Sequence, residues 1–168
     1  MNDAAVSVLA PAAGSPATAL TPGLRAMVAA GIEARGDAVI WAGAATPPPG
    51  ARADLTRWEC SANSFHLEDQ VPVDVVLLDD GEPSIADGDQ VTLLRQGVAL
   101  ALEVCRLVYD LAAPTPVRCI VGVGSTNGTF RFHRIRAGQD WLRPDLDAYR
   151  QEKLVVVDVE PAKHDQAS

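Results

Sequence analysis

The chain has 168 residues, of which 48% are hydrophobic, so it is long and apolar enough to bury the core of one domain. Acidic residues outnumber Lys and Arg by 22 to 14. The net charge of −8 argues against a nucleic-acid binder, which neutralises phosphates with clustered cations, and suits a basic protein partner.

Cysteine usage and hydropathy indicate the compartment. Cys60, Cys105 and Cys119 form neither an even disulfide set nor a CxxC pair. Cys105, on an apolar helix wall, and Cys119, in an apolar strand, are expected to be buried small hydrophobes in a reducing environment. The first residues lack a basic stretch before the apolar ones, and no apolar run is long enough to cross a bilayer. We therefore predict a cytoplasmic protein with no membrane or nucleic-acid partner.

The two ends of the chain differ in composition from the rest. Residues 1–20 are rich in Ala, Pro, Ser and Gly, and residues 161–168 are polar. We predict that both are flexible tails. Residues 21–160 then form a single domain.

The domain begins with a predicted helix over residues 22–35. Thr21 followed by Pro22 matches the cap and first position of a helix. Gly31 is a weak point in its apolar face, and Gly36 ends it.

Three β segments are predicted next. Residues 37–43 are short, β-rich and bounded by glycines. Residues 54–63 and 64–70 form a hairpin or one bent strand, because apolar and polar positions alternate through Trp58, Cys60 and Ala62. Residues 72–78 form a third strand.

A long central helix, about residues 88–112, organises the fold. Apolar residues recur at steps of three and four at Val91, Leu94, Val98, Leu102, Cys105 and Val108. A polar stripe on the opposite wall comprises Thr92, Gln96, Glu103, Arg106 and Asp110. Asp87 can cap the helix, with Gln90 reaching back as in a capping box.

The clearest β signal follows the helix. Val117 begins a hairpin in which Asn127-Gly128 suits a type I′ turn, and the slipped alternation between Phe132 and Ile135 indicates a bulge. A helical turn after Pro144 and a last strand over Lys153–Val159 complete the domain. The predicted fold class is α+β, a mainly antiparallel sheet packed against the central helix.

The sequence lacks the motifs of common catalytic and metal sites. Its Cys and His residues have no zinc-ligand spacing, and the acidic turn of residues 79–89 does not fit a calcium loop. The run G-V-G-S-T-N-G precedes a strand rather than a helix, so it is not a phosphate loop. No Ser or Cys lies in a nucleophile elbow. We predict no metal, no cofactor and no catalytic residue, and a non-catalytic role is favoured.

The stretch G-S-T-N-G-T-F resembles the late loop of forkhead-associated phosphothreonine-binding domains. That resemblance implies that Ser125 and Asn127 lie near a phosphopeptide. The family's Gly-Arg turn and its Ser-Arg-x-x-His loop have no counterpart here, and the Asn-Gly turn accounts for the key residues. We interpret the stretch as hairpin chemistry.

The stretch F-R-F-H-R-I-R-A-G-Q-D-W-L-R-P-D-L-D-A-Y-R-Q-E-K-L-V-V-V-D-V resembles the C-terminal half of bacterial immunity proteins from polymorphic-toxin systems. The element order is also similar to secretion-chaperone-like folds. Both groups are acidic, cytoplasmic and non-catalytic. The resemblance implies a protein that covers one protein partner, such as a cognate toxin or secreted effector.

We therefore expect a protein-binding module of the immunity, antitoxin or chaperone-like kind, with a homodimer left open. The candidate partner-binding residues are Asp79, Asp80, Glu82, Asp87, Asp89, Ser125, Asn127 and Trp141. One alternative is an accessory enzyme or small-ligand-binding protein of a biosynthetic pathway, with a deep pocket flanked by His66, His133 or Trp58. A second alternative is a phosphopeptide-binding module.

Overall fold

The computed structural model describes residues 1–10, 19–45 and 54–161 of the chain. Its α-helices in these ranges are α1 (Asp3–Leu9), α2 (Pro22–Ala30), α3 (Leu55–Ala62) and α4 (Asp87–Tyr109). Its strands there are β1 (Ile32–Arg35), β2 (Ala38–Trp41), β3 (Phe65–His66), β4 (Val75–Leu77), β5 (Pro83–Ile85), β6 (Val117–Val123), β7 (Gly128–Arg134) and β8 (Lys153–Val159).

An antiparallel sheet of order β3-β7-β6-β8 packs against α4. Leu100 and Val104 of α4 are fully buried with Phe130 and Phe132 of β7 in one core. The hairpins β1–β2 and β4–β5 lie outside this sheet. The predicted α+β class, with one long central helix, is confirmed.

The face that α4 buries is rotated from the predicted one. Leu102 is 58% exposed, whereas Gln96 of the predicted polar stripe is buried. Gln96 accepts a hydrogen bond from the Thr21 N–H (3.1 Å) and donates to the Ala19 carbonyl (2.9 Å), so the chain before α2 satisfies its amide.

The predicted capping box is wrong. The cap residue is Ala86, and Asp87 lies in the first turn of α4. The Gln90 Nε2 donates mainly to the Ile85 carbonyl, at 2.6 Å, instead of returning to a cap. Gln90 therefore ties α4 to the end of β5.

Gly97 allows α4 to approach the sheet closely. A Cβ at this position would overlap the Val121 side chain and lie 3.2 Å from Cδ1 of Leu67. We expect Gly97→Ala to lower the free energy of unfolding by about 1–3 kcal/mol, because overpacking displaces neighbours in a dense core. Urea denaturation measures this. Gly88→Ala in the same helix, where nothing lies within 4 Å, is the control and should not lose stability. Equal midpoints for the two variants would contradict the close approach.

Two predictions near the N-terminus are wrong. Asp3–Leu9 form α1 instead of a flexible tail, because the Asn2 side chain caps the helix and hydrogen-bonds the Leu154 N–H of β8 at 2.9 Å. Residues 11–18 and 162–168 of the two predicted tails lie outside the described residues. The predicted helix 22–35 ends at Gly31, whose φ of 84° breaks it.

The residues that follow Gly31 pair as a hairpin, β1 with β2. This confirms the strand predicted over residues 37–43.

The predicted strand over residues 54–63 is also wrong, because these residues form α3. Asp54 caps this helix by accepting from the Arg57 N–H at 2.9 Å. The buried positions of the helix and its cap are Thr56, Glu59, Cys60 and Asn63. Their spacing is helical, but three of the four are hydrogen-bonding side chains, Thr56, Glu59 and Asn63, which a hydrophobic pattern does not reveal. In residues 64–70 only Phe65–His66 are extended, and a 3-10 turn follows them.

The β6–β7 hairpin has the predicted strands but not the predicted turn. A four-residue loop runs from Gly124 to Asn127, and the Gly124 N–H donates to the Asn127 carbonyl at 2.9 Å. Among the described residues, only glycines have positive φ, and Gly128 is not one of them, which rules out a type I′ turn. The pairing runs without a bulge from Val117↔Arg134 to Val123↔Gly128.

The predicted turn after Pro144 and the predicted last strand are confirmed. A 3-10 turn over Leu146–Ala148 follows Pro144, and the last strand spans Lys153–Val159. Within the described ranges, no helix has both the length and the hydropathy that crossing a membrane requires.

Candidate functional site

The β4–β5 hairpin projects from the domain. Val75 pairs with Ile85, and Leu77 pairs with Pro83. The turn closes with two hydrogen bonds, from the Leu78 N–H to the Glu82 carbonyl (2.9 Å) and from the Gly81 N–H to the Leu78 carbonyl (2.8 Å). Gly81 has a φ of 83°, so the turn needs glycine there.

Both faces of this hairpin are open to solvent along β4. Val75, Val76, Leu77 and Leu78 are 43, 59, 71 and 50% exposed. Successive side chains of a strand point to opposite sides, so four exposed neighbours mean that nothing covers either side. Contiguous exposed aliphatic side chains are unusual in a soluble domain and mark interaction surfaces.

The apolar strand leads directly into an acidic turn. Asp79, Asp80 and Glu82 are all exposed, and the Asp80 carboxylate accepts from the Glu82 N–H at 3.0 Å. Residues 74–89 contain six acidic side chains and no Lys or Arg. We call residues 74–82, the strand and its turn, the hairpin surface.

The base of the hairpin is fixed to the domain. Ile85 is buried, and its N–H donates to the Ser125 carbonyl at 2.7 Å. Gln90 binds the Ile85 carbonyl and also accepts from the Lys153 Nζ at 2.6 Å. The core therefore orders the hairpin at one end and leaves its tip free.

The predicted site residues fall into two groups. The acidic residues from Asp79 to Asp89 lie on the hairpin or the first turn of α4, and Ser125 is joined to them through Ile85. Asn127 closes the same loop as Ser125. Trp141 is separate, because its ring packs against the Arg131 guanidinium, 5.3 Å from the ring centre.

The exposed apolar residues of β4 are not among the functional residues predicted from the sequence. The available signal was the run V-V-L-L between acidic residues, which lacks the alternation of a half-buried strand.

A buried ion pair joins α3 to two hairpins. Glu59 is completely buried, and the Arg136 guanidinium contacts both its oxygens, at 2.6 Å and 3.1 Å. The same carboxylate accepts from the Val39 N–H (2.6 Å) and the Arg134 N–H (3.1 Å). Protein donors occupy all its acceptor positions. Glu59 therefore stabilises the fold and has no free oxygen position that could exchange a proton with a substrate.

Asn63, one helical turn after Glu59, also hydrogen-bonds the strands that pack against α3. Its amide donates to the carbonyls of Val39 (2.9 Å) and Phe132 (3.0 Å) and accepts from the Trp41 N–H at 3.2 Å. Together the two side chains connect β2 and β7, which are not paired to each other.

The buried thiol of α3 is not a nucleophile at neutral pH. Burial raises the pKa of Cys60 to about 12, so its thiol stays protonated. The described residues hold no group of three His, Cys, Asp or Glu side chains placed to bind a metal ion.

The residues expected to flank a deep pocket are dispersed. His66 is exposed, and its Nδ1 lies 3.5 Å from the Glu68 carboxylate. His133 is buried in β7, and Trp58 is half-buried on α3. The surface has an apolar groove between α1, α2 and α4 and a polar cleft beside Trp141, and none of the three residues lines either of them.

His133 makes the stability of the fold depend on pH. Burial lowers its pKa below the usual 6.5, although the Arg134 carbonyl lies 2.8 Å from Nδ1. As pH falls below about 6.5, the unfolded chain binds a proton that the folded chain does not, so stability decreases until pH reaches the folded pKa. We expect a slope of at most about 1.4 kcal/mol per pH unit in this window.

Urea denaturation between pH 8 and pH 5.5 measures this slope. His133→Gln should flatten it, because the variant has no imidazole at this buried position. The same slope in wild type and His133→Gln would show that other groups cause the dependence.

Comparison with known proteins places the chain in a family. The model of the Uncharacterized protein PM0498 family matches residues 13–166, which is most of the chain. No curated protein and no solved structure matches it. The family's description names no activity, so the roles of residues are argued from the surface itself.

Proposed function

We propose that this chain, which belongs to the Uncharacterized protein PM0498 family, is a non-catalytic module. It binds one basic protein partner through its hairpin surface. The observation that carries this proposal is the exposed apolar run of residues 75–78, β4 and the residue after it, directly beside an acidic turn. Apolar contacts supply affinity at the centre of an interface, and complementary charge supplies steering and orientation.

The chemistry of the surface specifies its partner. Four acidic residues within the nine positions of the hairpin surface favour a basic patch, and the aliphatic side chains of β4 favour an apolar cleft beside that patch. The outer edge of β4 is unpaired among the described strands, so main-chain hydrogen bonds to a partner strand are also available. An immunity- or chaperone-like protein that covers a toxin or secreted effector would use such a surface.

Site-specific photocrosslinking tests the proposal. A photoreactive amino acid replaces Leu77 in one variant and Tyr109 in another, since both side chains are exposed apolar groups, 71% and 59%. Each variant is irradiated in extract from the source cells. We expect one defined, basic protein to crosslink at position 77 and not at 109, with a yield that falls as salt is added.

Two outcomes of the photocrosslinking experiment would contradict the proposal. Equal crosslinking at both positions, or crosslinking only at 109, would place the contact elsewhere on the molecule. A salt-independent yield at position 77 would contradict the charge complementarity.

A further inference from the structure

A groove on the helical side of the molecule has different chemistry from the hairpin surface. It lies between α1, the segment before α2, and α4, and its volume is about 600 Å³. Its apolar lining includes Leu9, Leu20, Val98 and Leu102, of which Leu102 is 58% exposed. Small-molecule sites are of this size and are mostly apolar.

Two arginines give the groove positive charge in a chain whose net charge is −8. Arg95 is half-buried and, among the described residues, has neither a hydrogen bond nor an ion pair from its guanidinium. Arg25 donates to the Leu20 carbonyl at 2.6 Å and has no carboxylate partner in the described ranges. Glu103 is the one acidic residue among the described residues of the lining, and it is paired with Arg106 at 2.9 Å.

The combination specifies a ligand. On the half-buried residue Arg95, a guanidinium without a partner among the described residues favours an anion, and the apolar lining beside it favours a hydrocarbon chain. We propose that this groove binds a small amphipathic carboxylate, whose head group pairs with Arg95 and Arg25 and whose alkyl chain covers Val98 and Leu102. The site is independent of the hairpin surface, and the binding involves no reaction.

Titration with dodecanoate, kept below its micelle concentration, tests this site. Binding is measured by calorimetry and by the methyl NMR signals of Val98 and Leu102. We expect saturable shifts of these methyls with dodecanoate and at least about tenfold weaker binding of dodecanol, which lacks the charge.

Substitutions separate a built site from simple adsorption. Arg95→Gln should weaken dodecanoate binding about tenfold, and Arg25→Gln should also weaken it. Arg150→Gln changes an exposed arginine outside the groove by the same charge and should leave the affinity unchanged. Equal affinity of wild type and Arg95→Gln, equal binding of dodecanol, or shifts at other methyls would each overturn the proposal.

Discussion

Replacing Glu59 by Ala should destabilise the protein by about 3–5 kcal/mol, because a buried charge loses its partner. The Arg136 side chain is only 15% exposed, so its guanidinium cannot regain full hydration. The Val39 and Arg134 N–H groups lose their acceptor as well. A loss of this size is a large part of the stability of a domain.

Urea denaturation at pH 7.5 measures this loss. Glu103→Ala is the matched control, since it removes a carboxylate from an exposed pair with Arg106 and should leave the urea midpoint nearly unchanged. If both variants had similar midpoints, Glu59 would not hold α3 between the hairpins.

Introducing charge into β4 should have the largest effect on partner binding. We expect Val76→Asp combined with Leu77→Asp to weaken binding of the crosslinked partner, once purified, by about 30-fold or more, as loss of an interface hot spot does. Calorimetry measures the affinity. Because both side chains are exposed, 59% and 71%, the urea midpoint should stay at the wild-type value.

The control for this variant places the same charges on another exposed apolar surface. Leu102→Asp combined with Tyr109→Asp changes two residues of α4 that are 58% and 59% exposed. This variant should bind the partner as wild type does. If it weakened binding as strongly as the β4 variant, general charge would explain the result and the hairpin surface would not be the interface.

The sequence predicted the elements whose signal is local. The periodicity of residues 88–112 identified α4, and the β-rich runs identified β6, β7 and β8. It failed at α3, because the buried side chains Glu59 and Asn63 are polar and are satisfied by the Arg136 guanidinium and by the backbones of β2 and β7. These hydrogen-bond partners come together only in the tertiary structure, so the hydrophobic periodicity of the sequence does not predict them.

The candidate site was predicted only in part, because part of it depends on tertiary contacts. The acidic residues of the turn are visible as composition, whereas the exposure of β4 depends on the absence of a packing partner. The run Val75–Leu78 has the composition of a core strand. Only the fold, in which β4 pairs with β5 outside the main sheet, shows that its side chains face water.

Hydrogen–deuterium exchange of the protein, alone and with the purified partner that crosslinking identified, tests the hairpin interface most directly. We expect binding to slow amide exchange across residues 75–85, where the free hairpin projects into solvent. Exchange in the exposed turns of α4 should stay unchanged. Unchanged exchange at residues 75–85, with protection elsewhere in the complex, would contradict the account.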